Sequence, residues 1–153
     1  MFTNSKLFSY EEGIALNGDL EIYYRDYGPK DAEPILLVQG IGGQLINWPE
    51  HLIDFLLENN FRPIVYDNRD TGLSSRIPSD SFSDAKRDNT IVKNYIKYYL
   101  RLPIKSDYTL DDMAVDGISV LGKLNIPESH ILGISMGGMI AQIIVSSHPE
   151  RTK

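Results

Sequence analysis

Three short apolar runs constrain the fold of this 153-residue chain more than any other feature. They are PILLVQG (34–40), RPIVYD (62–67) and SHILGIS (129–135). Each is too short for an ordinary helix and lacks the alternation of a half-solvated strand. Each therefore reads as a strand buried on both faces. Between the first two lies NWPEHLIDFLLENN, a helical pattern with Asn47 as N-cap, Pro49 in the first turn and Asn59-Asn60 as the stop. Before the third lies YTLDDMAVDGISVLGKLNIP, in which Thr109 and Asp112 have capping-box spacing. Leu110, Met113, Ala114, Ile118, Leu121 and Leu124 form one apolar stripe along it. Gly117 inside that pattern predicts close packing against a sheet, and Asn125 and Pro127 predict its end. MGGMIAQIIVSSH (136–148) follows the third run and is apolar nearly all round, which predicts cover on every side. Strand, helix, strand in this order specifies an α/β fold with a mostly parallel sheet and right-handed crossovers. At the start, EEGIAL and LEIYYRDYG flank Asn17-Gly18, the pattern of an antiparallel hairpin turning on that dipeptide.

The stretch from Ser74 to Asp107 is the least regular. SSRIPSDSFSDAKRD reads as a polar loop; NTIVKNYIKYYLRL (89–102) sets Ile91, Tyr95, Tyr98, Tyr99 and Leu102 at helical spacing, opposite Lys93, Lys97 and Arg101. We read residues 76–106 as an amphipathic, lid-like insertion, its tyrosines placed either to pack on the domain or to line a pocket. No repeat or linker divides the chain, so 1–153 reads as part of a single domain. A net charge of −6 disfavours phosphate backbones, and nucleic acid is not expected as a partner. The absence of cysteine excludes disulfides and thiolate metal sites. The first residues lack the apolar run of a signal peptide, and no stretch approaches the roughly 18 apolar residues of a membrane span. The expectation is a cytoplasmic protein without membrane contact.

The third run carries the chemistry. Gly133-Ile134-Ser135-Met136-Gly137 is G-x-S-x-G at a strand-to-helix turn, the pattern of a nucleophile elbow. Such a turn holds its serine in a strained backbone conformation and presents the hydroxyl to solvent. It also brings the flanking backbone so close that Gly133 and Gly137 cannot carry a Cβ. The helix N-terminus favours developing negative charge, and the Met136 N–H is a natural oxyanion donor. The plainer alternative is a tight strand–helix loop with no chemistry. LLVQGIGG (36–43) likewise ends a strand in glycines, either to offer a second N–H to the same oxygen or simply to turn. Gly40, Gly42 and Gly43 fit neither a dinucleotide fingerprint nor a P-loop.

Taken together, LLVQGIGG, VYDNRDTGLS and GISMGG make the chain resemble the N-terminal half of an α/β-hydrolase, from about Gly13 to Lys153. YDNRDTGLS, YTLDDMAVD and GISMGGMIAQ are especially similar to the serine esterase branch that includes aclacinomycin methylesterase. The resemblance implies Ser135 as nucleophile and the N–H groups of Ile41 and Met136 as the oxyanion hole. Gln39 stands where many relatives carry histidine; the donor is a backbone group, so that departure leaves the assignment intact. The resemblance also makes the loop holding Asp67 and Asp70 a structural tie beside the oxyanion loop rather than a source of the triad acid. It implies no cofactor and no metal.

A serine hydroxyl needs a base, and the base needs an orienting acid. In this fold both follow the serine in the chain. Only His148 and Glu150 remain there, and His148 lies about 20 Å along the elbow helix from Ser135. His51 sits early in the first crossover helix, and His130 begins the strand at the end away from the elbow. The triad acid and base are thus expected to be absent from these residues, and the chain reads as an incomplete hydrolase, truncated after the elbow helix. The expected activity is hydrolysis of a small-molecule carboxylic ester through an acyl-enzyme on Ser135. A cofactor-free perhydrolase, C–C hydrolase or lyase is the alternative on the same scaffold, and a non-catalytic binding protein the alternative outside enzymes. Dehalogenases and epoxide hydrolases are disfavoured because their nucleophile is aspartate. The exposed sheet edge is expected either to receive a missing C-terminal half or to self-associate.

Overall fold

A computed structural model describes residues 9–77, 100 and 106–153. The chain divides into two compact units, one of residues 1–76 with 110–153 and one of residues 77–109. The lid-like insertion expected at 76–106, with its helix over 89–102, lies almost wholly outside the described residues.

The first unit is a five-stranded sheet in the order β1-β2-β4-β3-β5. β1 (Tyr10–Asn17) and β2 (Leu20–Tyr27) form the antiparallel hairpin. Its turn sits one residue later than the sequence suggests. Asn17 pairs with Leu20 inside the ladder, and the two loop residues are Gly18, at φ 59°, and Asp19. Glycine at the first loop position supplies the positive φ that such a hairpin needs, so asparagine is not required to. β3 (Glu33–Val38), β4 (Phe61–Tyr66) and β5 (His130–Gly133) are parallel to one another, with β3 between the other two.

The helix between β3 and β4 starts later than expected. A short 3₁₀ turn (Leu45–Asn47) precedes α1 (Glu50–Glu58), whose N-cap is Pro49 rather than Asn47. The Asn47 side chain caps the earlier turn instead, accepting from the Gln44 N–H at 2.7 Å. Asn59 and Asn60, the latter at φ 61°, end α1 as expected.

β3 and β4 are covered on both faces, adjacent residues of one strand pointing opposite ways into different layers. Ile35, Leu37 and Val65 pack with Leu45, Trp48, Ile53 and Leu56 on the α1 side. Leu36 and Tyr66 face α2 (Leu110–Lys123) and α3 (Met136–Ser147). Gly117 of α2 makes this second layer possible. A Cβ there would lie 3.1 Å from the Tyr66 hydroxyl, 3.2 Å from Leu36 and 3.4 Å from Ile144.

Three elements differ from their sequence pattern, the first being β5, read as buried on both faces but half-buried throughout. The buried face of α2 includes Asp116 and Val120, while Leu110, Ile118 and Leu124 are only half-buried. On α3 only Gly137, Ile140 and Ile144 are buried, and Met139 and Val145 are exposed among the described residues. The reason lies in strand order: β5 is the outermost strand, half-buried throughout, so the helix that follows it has the sheet on one side only. No helix among the described residues is long and apolar enough to cross a membrane.

Candidate active site

Ser135 stands between β5 and α3 with φ 56° and ψ −122°, and it is exposed. Non-glycine residues rarely occupy this backbone region, and it persists only where the surroundings enforce it. The enforcement here comes from three glycines. A Cβ on Gly133 would overlap the Gly137 carbonyl oxygen, so the strand end and the first helical turn touch backbone to backbone. On Gly137 it would overlap the Val38 carbonyl oxygen, so this second glycine is needed by β3 rather than by the turn itself. On Gly40 it would lie 3.1 Å from the Ser135 Cβ and 3.6 Å from its Oγ. The loop after β3 therefore runs directly beside the serine.

That loop has a defined shape. Gly43 donates its N–H to the Gly40 carbonyl at 3.1 Å, closing a turn with Gly42 at φ 69°. In a trans peptide the carbonyl and the following N–H point opposite ways. Since the Gly40 carbonyl faces into the turn, the Ile41 N–H faces out of it. Met136 is the first residue of α3, where N–H groups have no acceptor within the helix. Among the described residues, neither N–H has a hydrogen-bond acceptor.

The loop after β4 braces the loop after β3. The buried Asp67 carboxylate accepts from the Leu45 N–H at 2.7 Å with one oxygen and from the Leu73 N–H at 2.9 Å with the other. Ser74 donates its hydroxyl to the Asp67 carbonyl at 2.6 Å and accepts from the Tyr23 N–H. Gly72, at φ 56°, lets the chain pass so close that a Cβ would overlap the Asp67 carboxylate. Asn68 donates its amide to the Gln39 carbonyl at 3.1 Å. Arg69 reaches α2, forming a two-pronged pair with Asp116 at 2.6 and 2.8 Å and a third bond to the Asp112 carbonyl. Asp116 also accepts from the Asn17 side chain, so one carboxylate links hairpin, loop and helix. Beside it the Tyr66 phenol is wholly buried, and its ionisation is pushed far up by desolvation and then by the Asp116 charge.

None of the three histidines is placed to serve Ser135. His130 is paired with Glu33 at 3.4 Å and edge-on to Phe61, at the opposite end of β5. His148 follows the last turn of α3, 3.8 Å from Glu150. His51 is exposed in the first turn of α1.

Asn68, Arg69 and Asp116 were not singled out by sequence reasoning. Only Arg69 carried a signal, as the arginine of the DNRDTGLS loop that the resemblance makes a structural tie.

The chain is similar over most of its length to several known proteins. Rhodomycin D methylesterase of Streptomyces peucetius is 28% identical over 151 residues, 99% of this chain and 38% of that protein. The 3-oxoadipate enol-lactonase 2 of Acinetobacter baylyi is 26% identical over 133 residues, 87% of this chain and 39% of that protein. Among solved structures, a proline iminopeptidase-related protein from Thermus thermophilus superposes with a TM-score of 0.69 at 22% identity, over 93% of this chain and 42% of that one. The chain thus spans about 40% of the length of the relatives it matches. The family model for the alpha/beta hydrolase fold matches residues 33–153, which include β3 to β5, both glycine loops and the elbow, and the chain belongs to that family.

Proposed function

We propose that Ser135 is the nucleophile of a hydrolase acting on small-molecule carboxylic esters. The observation that carries this reading is the exposed serine at φ 56° on a helix N-terminus, with the glycine loop of β3 against its Cβ. A structural turn has no need of a strained serine; a hydroxyl that must meet a substrate carbonyl does. Attack by Oγ would form an acyl-enzyme, with the Ile41 and Met136 N–H groups holding the oxyanion and water releasing the acid. The methylesterase and the lactonase, each named for cleaving an ester bond, support that substrate class. The base and acid would come from chain beyond these 153 residues, since the described histidines sit elsewhere and the relatives are more than twice as long.

The test uses the complete encoded protein and a fluorophosphonate probe, which labels only an activated serine. Labelling at Ser135 is expected, with hydrolysis of an activated short-chain ester falling by roughly 10⁴-fold or more in Ser135→Ala. Labelling without ester turnover would favour a perhydrolase or lyase on the same serine. No labelling, with turnover undiminished in Ser135→Ala, would overturn the proposal.

A further inference from the structure

We propose that Asn68 is a positioning residue that sets the direction of the oxyanion N–H through the Gln39 carbonyl. The inference rests on the reading of Ser135 and Ile41 given above. Asn68 is 2% exposed, and its amide N–H is 3.1 Å from the Gln39 carbonyl oxygen, in the peptide that immediately precedes Gly40. Its own Oδ1 is buried with no hydrogen-bond partner. A buried acceptor left without a donor is costly, and a leucine would remove this one only by leaving the Gln39 carbonyl without its donor. What the position needs is the donor half of the amide.

The geometry shows what that donor holds. A Cβ on Gly40 would be crowded by the Ile134 carbonyl oxygen and the Ser135 Cβ, each 3.1 Å away. As a glycine, Gly40 has a wide choice of backbone angles. The peptide plane before it is fixed by Asn68 on the β4 side, while Gly137 packs against the same carbonyl from the elbow side. The plane after it, which carries the Ile41 N–H, is fixed by the Gly43-to-Gly40 bond. Releasing the first plane lets Gly40 rotate, and the Ile41 N–H moves with it. Asp67 holds the far end of the same loop at Leu45, so Asn68 governs the end nearest Ser135.

The experiment compares Asn68→Leu, which keeps a similar volume and removes the donor, with Asn68→Ala, in the complete protein. For both, kcat for an activated ester is expected to fall about 10²-fold, the order that small misplacements of catalytic groups produce, with KM within about twofold. Affinity for a boronate that mimics the tetrahedral adduct should fall in parallel with kcat/KM. Affinity for the product acid should not change. Hydrogen exchange at the Gly43 amide should quicken in both variants, and this readout does not depend on catalysis. Were wild-type protein to show no Ser135-dependent turnover, the proposed function would fail, and the exchange rate alone would decide the role of Asn68. Unchanged Gly43 exchange with wild-type kcat in folded Asn68→Leu overturns the inference. So does a lowered melting temperature with kcat and boronate affinity intact in both variants, because it would mean a purely structural role.

Discussion

At the scale of single residues, two neighbouring glycines on α3 have opposite expected responses to the same change. A Cβ on Gly137 would overlap the carbonyl of Val38, a backbone group with no side-chain rotation to relieve the clash. Gly137→Ala is expected to destabilise by about 2 kcal/mol or more, the upper range for overpacking. On Gly138 the added Cβ would meet nothing closer than the Gly133 carbonyl oxygen at 3.5 Å, an ordinary contact. Gly138→Ala is expected to be neutral or stabilising by up to about 1 kcal/mol, through helix propensity. Urea midpoints of the two variants check both. The motif made Ser135, Gly133 and Gly137 legible in the sequence, since their roles are set by neighbours within a few positions. It did not show that β3 is what excludes a side chain at Gly137. Asn68 and Asp116 were not legible, because each is defined by a partner far along the chain: Gln39 29 positions away and Arg69 47.

At the scale of elements, a second buried ion pair ties β2 to β4. Arg62 grips both oxygens of Asp26 at 2.8 and 2.7 Å, and Lys30 adds a third contact at 2.6 Å. Burial alone would push the Asp26 carboxyl up, but the hydrogen bonds and charges of Arg62 and Lys30 outweigh it and hold it below its ordinary 3.8. A carboxyl lowered in the folded state contributes its full stability above the ordinary value and loses it as pH falls through the folded one. Wild-type protein should therefore lose part of its stability below about pH 4, and Asp26→Asn should flatten that limb. At neutral pH the same variant leaves Arg62 buried without its partner, at a cost of about 3–5 kcal/mol. Urea midpoints measured from about pH 6 down to about pH 2 test both parts. The strands themselves were legible from apolar runs and the helix ends from asparagines. The offsets at Asn47 and Asn17 arose because asparagine suits several neighbouring positions of a turn, and only the three-dimensional path selects one.

At the scale of the whole molecule, Ser135 directly follows an outer strand of the sheet, β5. β5 pairs with β3, and among the described residues its other recorded pairing is the single parallel bridge of the preceding Ser129 to Thr152. Ile134, Met139 and Val145 are exposed close by. Residues 1–153 expressed alone are expected to self-associate through this edge. Light scattering checks this, and Met139→Lys with Val145→Lys should shift the distribution toward monomer. The same strand order has a kinetic meaning. β3 and β4 pair residues such as Glu33 and Phe61, 28 positions apart, whereas β5 joins β3 through Ile35 and His130, 95 positions apart. Longer closures cost more chain entropy, so β5 is expected to dock late. The backbone of Ser135 can be forced to φ 56° only once Val38 and Gly40 press against the elbow. The strained backbone that the proposed function requires at this serine is therefore expected to be set only when β5 docks, and a chain in which β5 is undocked lacks it.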